Sequence, residues 1–178
     1  MPEIVIRNST ISGLHITKNS SHPDVTLLVF PDTTWKDENA MQVAVPSQEN
    51  LAPETLRLVT WPRNPVSRRY VDQLVQDVAG KKVGNVPANL CKLFKDLLKE
   101  GIVTQISARS TAQKPRRSVS PPTTQSFQKR AFGLDRPGGG VVLDCLYTLH
   151  VTSVGRSAAV RRLTDLFEKI GGKERLDF

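Results

Sequence analysis

Apolar positions along this chain change their period near residue 62. Before that point they come in short runs rich in Val, Ile and Leu, at residues 3–7, 14–16 and 25–30. Asn-Ser, Lys-Asn-Ser-Ser and Pro-Asp turn signals separate the runs. Residues 41–45 (MQVAV) alternate, and residues 55–60 (TLRLVT) follow a Pro-bounded loop. All five read as strands of a small antiparallel sheet.

Pro62 and Pro65 close this stretch, and the spacing turns helical. Ser67 stands where an N-cap belongs, and Tyr70, Val71, Leu74, Val75 and Val78 form one stripe behind it. Gly80 ends that predicted helix, with Lys81 and Lys82 beyond the negative end of its dipole. A second helix opens at Pro87 and carries Leu90, Leu93, Phe94, Leu97 and Leu98 on its apolar side. Lys92, Lys95 and Lys99 lie off that side, Gly101 stops the helix, and residues 102–106 read as a short strand.

Residues 107–140 hold few aliphatics, many Ser and Thr, four prolines and a Gly triplet, the composition of a long mobile loop. The pattern then sharpens. From 141 to 151, Val141, Leu143, Cys145, Tyr147, Leu149 and Val151 share one strand face. Val142, Asp144, Leu146, Thr148 and His150 share the other. After Gly155, Ser157 is placed to cap a last helix with Val160, Leu163, Leu166, Phe167 and Ile170 along its apolar side. The expected fold is α+β: a single domain with a small, mainly antiparallel sheet packed by about three helices. Residues 1–54 form a β-rich N-terminal region or arm, and residues 55–178 an α+β core with the mobile basic loop 107–140.

At 178 residues, 38% of them hydrophobic, the chain has material for one modest core. Its 25 Lys and Arg against 17 Asp and Glu give +8 and a pI near 9.8, which favours polyanionic partners. The surplus is uneven. Residues 1–60 carry 4 basic and 7 acidic side chains, and residues 61–178 carry the other 21 and 10. A polyanion is therefore expected on the C-terminal two thirds. The two cysteines, Cys91 and Cys145, sit apart in apolar runs and read as small buried hydrophobes suited to a reducing compartment. The opening MPEIVIRNST has neither a basic region followed by an apolar one nor a glycine for acylation, since Pro2 stands there. The final Leu176-Asp177-Phe178 offers no cysteine for prenylation. No apolar run nears the about 18 residues that span a bilayer. Membrane contact, if any, is expected to be peripheral.

Catalysis needs converging titratable groups, and the sequence offers none. His15, His22 and His150 have no Cys, Asp or Glu at ligand spacing on the same element, and His150 stands about 20 Å along its strand from Asp144. Ser67, Ser118 and Ser120 lack a nucleophile-elbow setting. The glycines at 138–140 precede a strand, not a helix, and cannot cradle phosphate as a P-loop does. Asp32, Asp37 and Glu38 are spaced too irregularly for a calcium loop. The expectation is a non-enzyme without metal or cofactor.

The cations are the informative residues. Lys114, Arg116 and Arg117, then Lys129 and Arg130, flank the Ser/Thr/Pro-rich stretch, where they can reach phosphates in a salt-dependent manner. They also match a two-part nuclear import signal. Arg63, Arg68 and Arg69 with Lys81 and Lys82 make a second candidate patch, and Lys92, Lys95 and Lys99 a third. Each doubles as an ordinary solvated helix face. Ser118 and Ser120 adjoin Arg116 and Arg117, so phosphate there would cancel local charge and switch binding off.

The order of elements from residue 55 onward resembles the matrix proteins of rhabdoviruses, the short plant-infecting type in particular. The similar block comprises a strand (TLRLVTW), a Pro-bearing turn (PRNPVS), a helix (RRYVDQLVQDV) and a second helix (LCKLFKDLLKE). A basic Pro-containing loop, a long strand (GGVVLDCLYTLHV) and a final helix (AAVRRLTDLFEKI) complete it. These are patterns, not invariant residues. The chain lacks the Lys-rich start and the PPxY or PTAP budding motif of animal-virus members; Ser120-Pro121-Pro122-Thr123 is neither. The resemblance implies a homo-oligomeric structural protein that condenses the viral ribonucleoprotein and bridges it to the envelope. Its partners would be itself, nucleocapsid RNA, an anionic membrane surface and the viral glycoprotein tail. It would reside in the virion and at the inner membrane face of the host cytoplasm, with the host nucleus a second location. Two other readings stay open: an RNA-binding viral regulator of the silencing-suppressor or movement type, and an adaptor whose basic loop is only an import signal.

Overall fold

The alternation read at residues 141–151 is the spine of the molecule. The structure, a computed structural model, describes residues 1–34, 37–63, 70–117, 140–171 and 175–177. Strand β9 (Val141–Val151) runs through the middle of the main sheet, and Leu143, Cys145, Tyr147, Leu149 and Val151 are fully buried on one side. On its flanks lie β1 (Glu3–Ile11) and β7 (Val103–Ser110), both antiparallel to it. The sheet continues outward through β2 (Thr26–Pro31), β3 (Met41–Ala44) and β6 (Lys82–Asn85). On the opposite edge, β10 (Arg175–Asp177) pairs with β1. Every pairing among the described residues is antiparallel. The expected α+β domain with a mainly antiparallel sheet is the fold observed.

One face of this sheet is covered. Helix α4 (Ala88–Lys99) lays Leu90, Cys91, Phe94 and Leu97 on it, and α5 (Arg156–Ile170) adds Ala159 and Leu163. Phe94 meets Tyr147 edge to face with ring centroids 5.4 Å apart. The Tyr147 hydroxyl donates to the Thr10 carbonyl at 2.8 Å, so the largest buried side chain leaves no polar atom stranded.

Several elements differ from their sequence pattern, each for a local reason. β1 does not stop at Arg7. Asn8 takes the left-handed conformation (φ 56°) that Asn tolerates, the register shifts between Ile6 and Ser9, and the strand runs on to Ile11. Residues 14–16 form one helical turn, α1 (Leu14–Thr17), entered through Gly13 at φ 81°. The run at 55–60 is split between α2 (Pro53–Leu56), started by its own proline, and β4 (Val59–Trp61).

Of the helix expected from Ser67 to Val78, residues 67–69 lie outside the described residues, and the rest holds one helical turn, α3 (Val75–Val78). Ahead of it, β5 (Gln73–Leu74) pairs with β4 as a separate two-stranded sheet. Asp77 accepts from the Leu74 N–H at 2.8 Å and sets the helix start there, while Tyr70 and Val71 face solvent. The loop expected from 107 begins only after β7, and β8 (Arg116–Arg117) pairs with Val142 and Val141. Gly155, not Ser157, caps α5. A Cβ at Gly155 would stand 2.9 Å from Ile102 Cγ2, so the position suits glycine.

Candidate basic groove at the start of strand β9

Where β8 meets the first residues of β9, the small β4–β5 sheet comes alongside and leaves a groove of about 600 Å³. Trp61, Pro62 and Arg63 form one wall, Lys114, Pro115, Arg116 and Arg117 the other, and Val141 completes the lining. Four cations thus line one concavity. Position follows from pairing: β8 hangs on β9 by two residues, and Trp61 is fixed by pairing with Gln73. Thr60, fully buried, donates to Gln73 Oε1 at 2.9 Å and ties the two small strands together behind Trp61.

The four cations are not equivalent. Arg116 forks onto Asp144, with Nη2 2.7 Å from Oδ1 and Nε 2.9 Å from Oδ2, and the hydrogen bond raises its already high pKa. Among the described residues, no carboxylate pairs with the side chains of Arg63, Lys114 or Arg117. Arg63 uses only its backbone N–H, toward Asp72. Three cations in one concavity, with their charge uncompensated, make a positive potential that attracts phosphate.

Of the residues singled out in sequence, Lys114, Arg116 and Arg117 come together here and Arg63 joins them. Lys81 and Lys82 lie at β6, the far edge of the sheet, about four strand spacings or ~19 Å from β9. Lys82 donates to the buried Asp32 at 2.6 Å. Burial pushes the Asp32 carboxyl up. The ammonium of Lys82 and the N–H and O–H of Thr34 outweigh that and hold it below the usual carboxylate value. This pair serves the fold. On α4, Lys92 reaches Asp96 at 2.7 Å, and Lys95 donates to the Glu38 carbonyl, leaving Lys99 as the third of that helical row. Arg68, Arg69, Ser118, Ser120, Lys129 and Arg130 lie outside the described residues.

Trp61 and Pro62 are the groove residues that charge counting missed. The signal was present as an aromatic directly before Pro-Arg, at the point where the net charge of the chain changes sign. Elsewhere, His150 Nδ1 stands 3.2 Å from Glu3 and His22 Nδ1 accepts from the Asp24 N–H at 3.1 Å. Burial raises the Cys91 thiol and pushes that of Cys145 up to about 12. Among the described residues there is no group of three or more His, Cys, Asp or Glu able to hold a metal ion. No helix there is long and apolar enough to cross a membrane. Comparison with protein-family models, curated proteins and solved structures finds no match for this chain.

Proposed function

We propose that this is a matrix-like structural protein of a virion, which associates with itself and bridges a ribonucleoprotein to the envelope membrane through basic surfaces. It works by binding, not by turnover. The observation that carries this reading is the groove at β8, where Arg63, Lys114 and Arg117 have no acidic partner among the described residues. Affinity from such a site comes from counterion release and is spent when salt rises. Residues 61–178, from which every lining residue of the groove comes, carry a net +11.

Self-association has separate support in the sheet face that the described residues leave uncovered. Val5, Leu28, Phe30 and Leu146 lie in its middle, at least partly exposed. Three of the charges at its rim are paired within the chain: Arg7 with Asp177, Arg109 with Asp24, Arg116 with Asp144. A second copy of this chain is the occupant that fits. Two such faces can meet about a two-fold axis without the repulsion that the rest of a +8 surface would bring.

The test is parallel sedimentation with phosphatidylserine vesicles and with RNA, at low and at physiological salt, across a range of protein concentration. The matrix reading expects salt-sensitive binding to both, with assembly that grows with concentration and weakens in Phe30→Asp. Binding to RNA alone by a persistent monomer favours the second reading, an RNA-binding viral regulator. Indifference to both vesicles and RNA at low salt excludes the two together.

A further inference from the structure

We infer that the β8 groove takes single-stranded nucleic acid, with an unstacked base against Trp61 and backbone phosphates on Arg63, Lys114 and Arg117. The inference rests on the polyanion-binding reading above and narrows it to one partner chemistry. Three features carry it together. A wall of the groove is an indole, the largest aromatic surface a side chain offers, and it lies beside cations without acidic partners. Sites that hold single strands combine these two elements, a positive channel for the backbone and an aromatic platform for the bases.

The second feature is shape. A concavity of about 600 Å³ is within the range, about 300–1,000 Å³, of sites that enclose small organic groups, and it has room for a nucleotide. A membrane is engaged by side chains that protrude, and the groove's apolar lining (Trp61, Pro62, Pro115, Val141) is recessed instead. A duplex keeps its base faces stacked inside and would offer Trp61 nothing to pack on.

The third feature is rigidity. Arg116 is already held by Asp144, so β8 is fixed on β9 and the Lys114–Arg117 wall is in place before a ligand arrives. Trp61 is likewise set by its strand pairing with Gln73. Ordering two flexible walls would cost part of the binding energy, and strand pairing behind both walls lowers that cost.

Trp61 is also its own reporter. The chain has two tryptophans, so a Trp35→Phe protein leaves Trp61 as the sole fluorescent indole. That protein is titrated with a short oligoadenylate, with inorganic polyphosphate and with phosphatidylserine vesicles. Stacking predicts saturable quenching by oligoadenylate and none by polyphosphate at equal occupancy. Trp61→Leu is expected to weaken oligoadenylate binding about 5- to 150-fold, the range of one lost base stack. Trp61→Phe should recover part of that, and polyphosphate affinity should stay unchanged in both. Equal oligoadenylate affinity in wild type and Trp61→Leu overturns the inference, as does Trp61 quenching by vesicles without oligoadenylate binding. A Trp61→Leu protein that fails to fold leaves the quenching comparison and Trp61→Phe to decide. If none of the three probes binds, the polyanion reading itself falls, an outcome distinct from binding without stacking.

Discussion

Arg116 and Asp144 form a two-pronged ion pair, 2.7 and 2.9 Å at its shortest contacts, that fastens the two-residue strand β8 to the long strand β9. Their side chains are 49% and 36% exposed, so water screens much of the attraction. Asp144→Asn is expected to cost no more than about 1 kcal/mol, a fall in Tm of about 2–4 °C for a chain of this size. It also removes an anion beside the groove and frees Arg116. Polyphosphate affinity at low salt should therefore rise while stability falls, a divergence that thermal melts and binding isotherms on the same sample will show.

Asp32 and Lys82 give the fold an acid-sensitive contact. The Asp32 carboxyl has its folded pKa held below the usual 3.8. Its contribution is therefore complete above the unfolded value and disappears as pH falls through the folded one. Asp32→Asn should lose about 1–3 kcal/mol at pH 7, since it removes the charged partner of Lys82 and the carboxylate that accepts from Thr34 at a buried site. The gap between wild type and variant should close below about pH 4. Urea denaturation at pH 7, 5 and 3 checks both the size and the direction.

Gly84 tolerates no side chain. A Cβ there would lie 2.2 Å from the Ser12 carbonyl oxygen and 2.8 Å from Ile11 Cγ2, and the first of these is backbone that cannot step aside. Ser12 and Asn85 also exchange backbone hydrogen bonds at 2.8 and 2.9 Å on this spot. Gly84→Ala is expected to destabilise by about 3 kcal/mol, the upper part of the range for overpacking. Equilibrium denaturation measures it.

Neither thiol should react in the folded protein. Both are buried, and desolvation raises Cys91 and takes Cys145 to about 12, which disfavours the reactive thiolate at each. Ellman's reagent is expected to find no fast-reacting thiol in native buffer and two in guanidinium.

What the sequence disclosed depended on whether one face of an element alone was decisive. In β9 a single buried face dictates every second residue, and Leu143 to Val151 announce it. The same holds for Leu90, Phe94 and Leu97 in α4. β1 hid half its length because the bulge at Asn8 changes which parity faces inward: Ile4 and Ile6 before it, Ile11 after it. The false helix before Val75 came from Tyr70 and Val71, whose spacing fits a stripe they do not join.

The groove was half legible for a related reason. Lys114, Arg116 and Arg117 are neighbours in sequence, so composition found them. Arg63 and Trp61 reach them only because the fold sets the β4–β5 sheet beside β8. Lys82 and Arg116 counted as cations in sequence, yet each is answered by a carboxylate that only the folded chain brings near, whereas Lys92 is answered by Asp96 one helical turn on.

The most direct measurement is the salt dependence of RNA affinity in wild type and in the triple variant Arg63→Ala, Lys114→Ala, Arg117→Ala. If these side chains meet phosphates of a single strand, the slope of log K against log salt should shrink by about 2, roughly 0.7 for each cation lost. An unchanged slope with unchanged affinity, in a variant that melts like wild type, would show that RNA is held elsewhere and contradict the assignment of the groove.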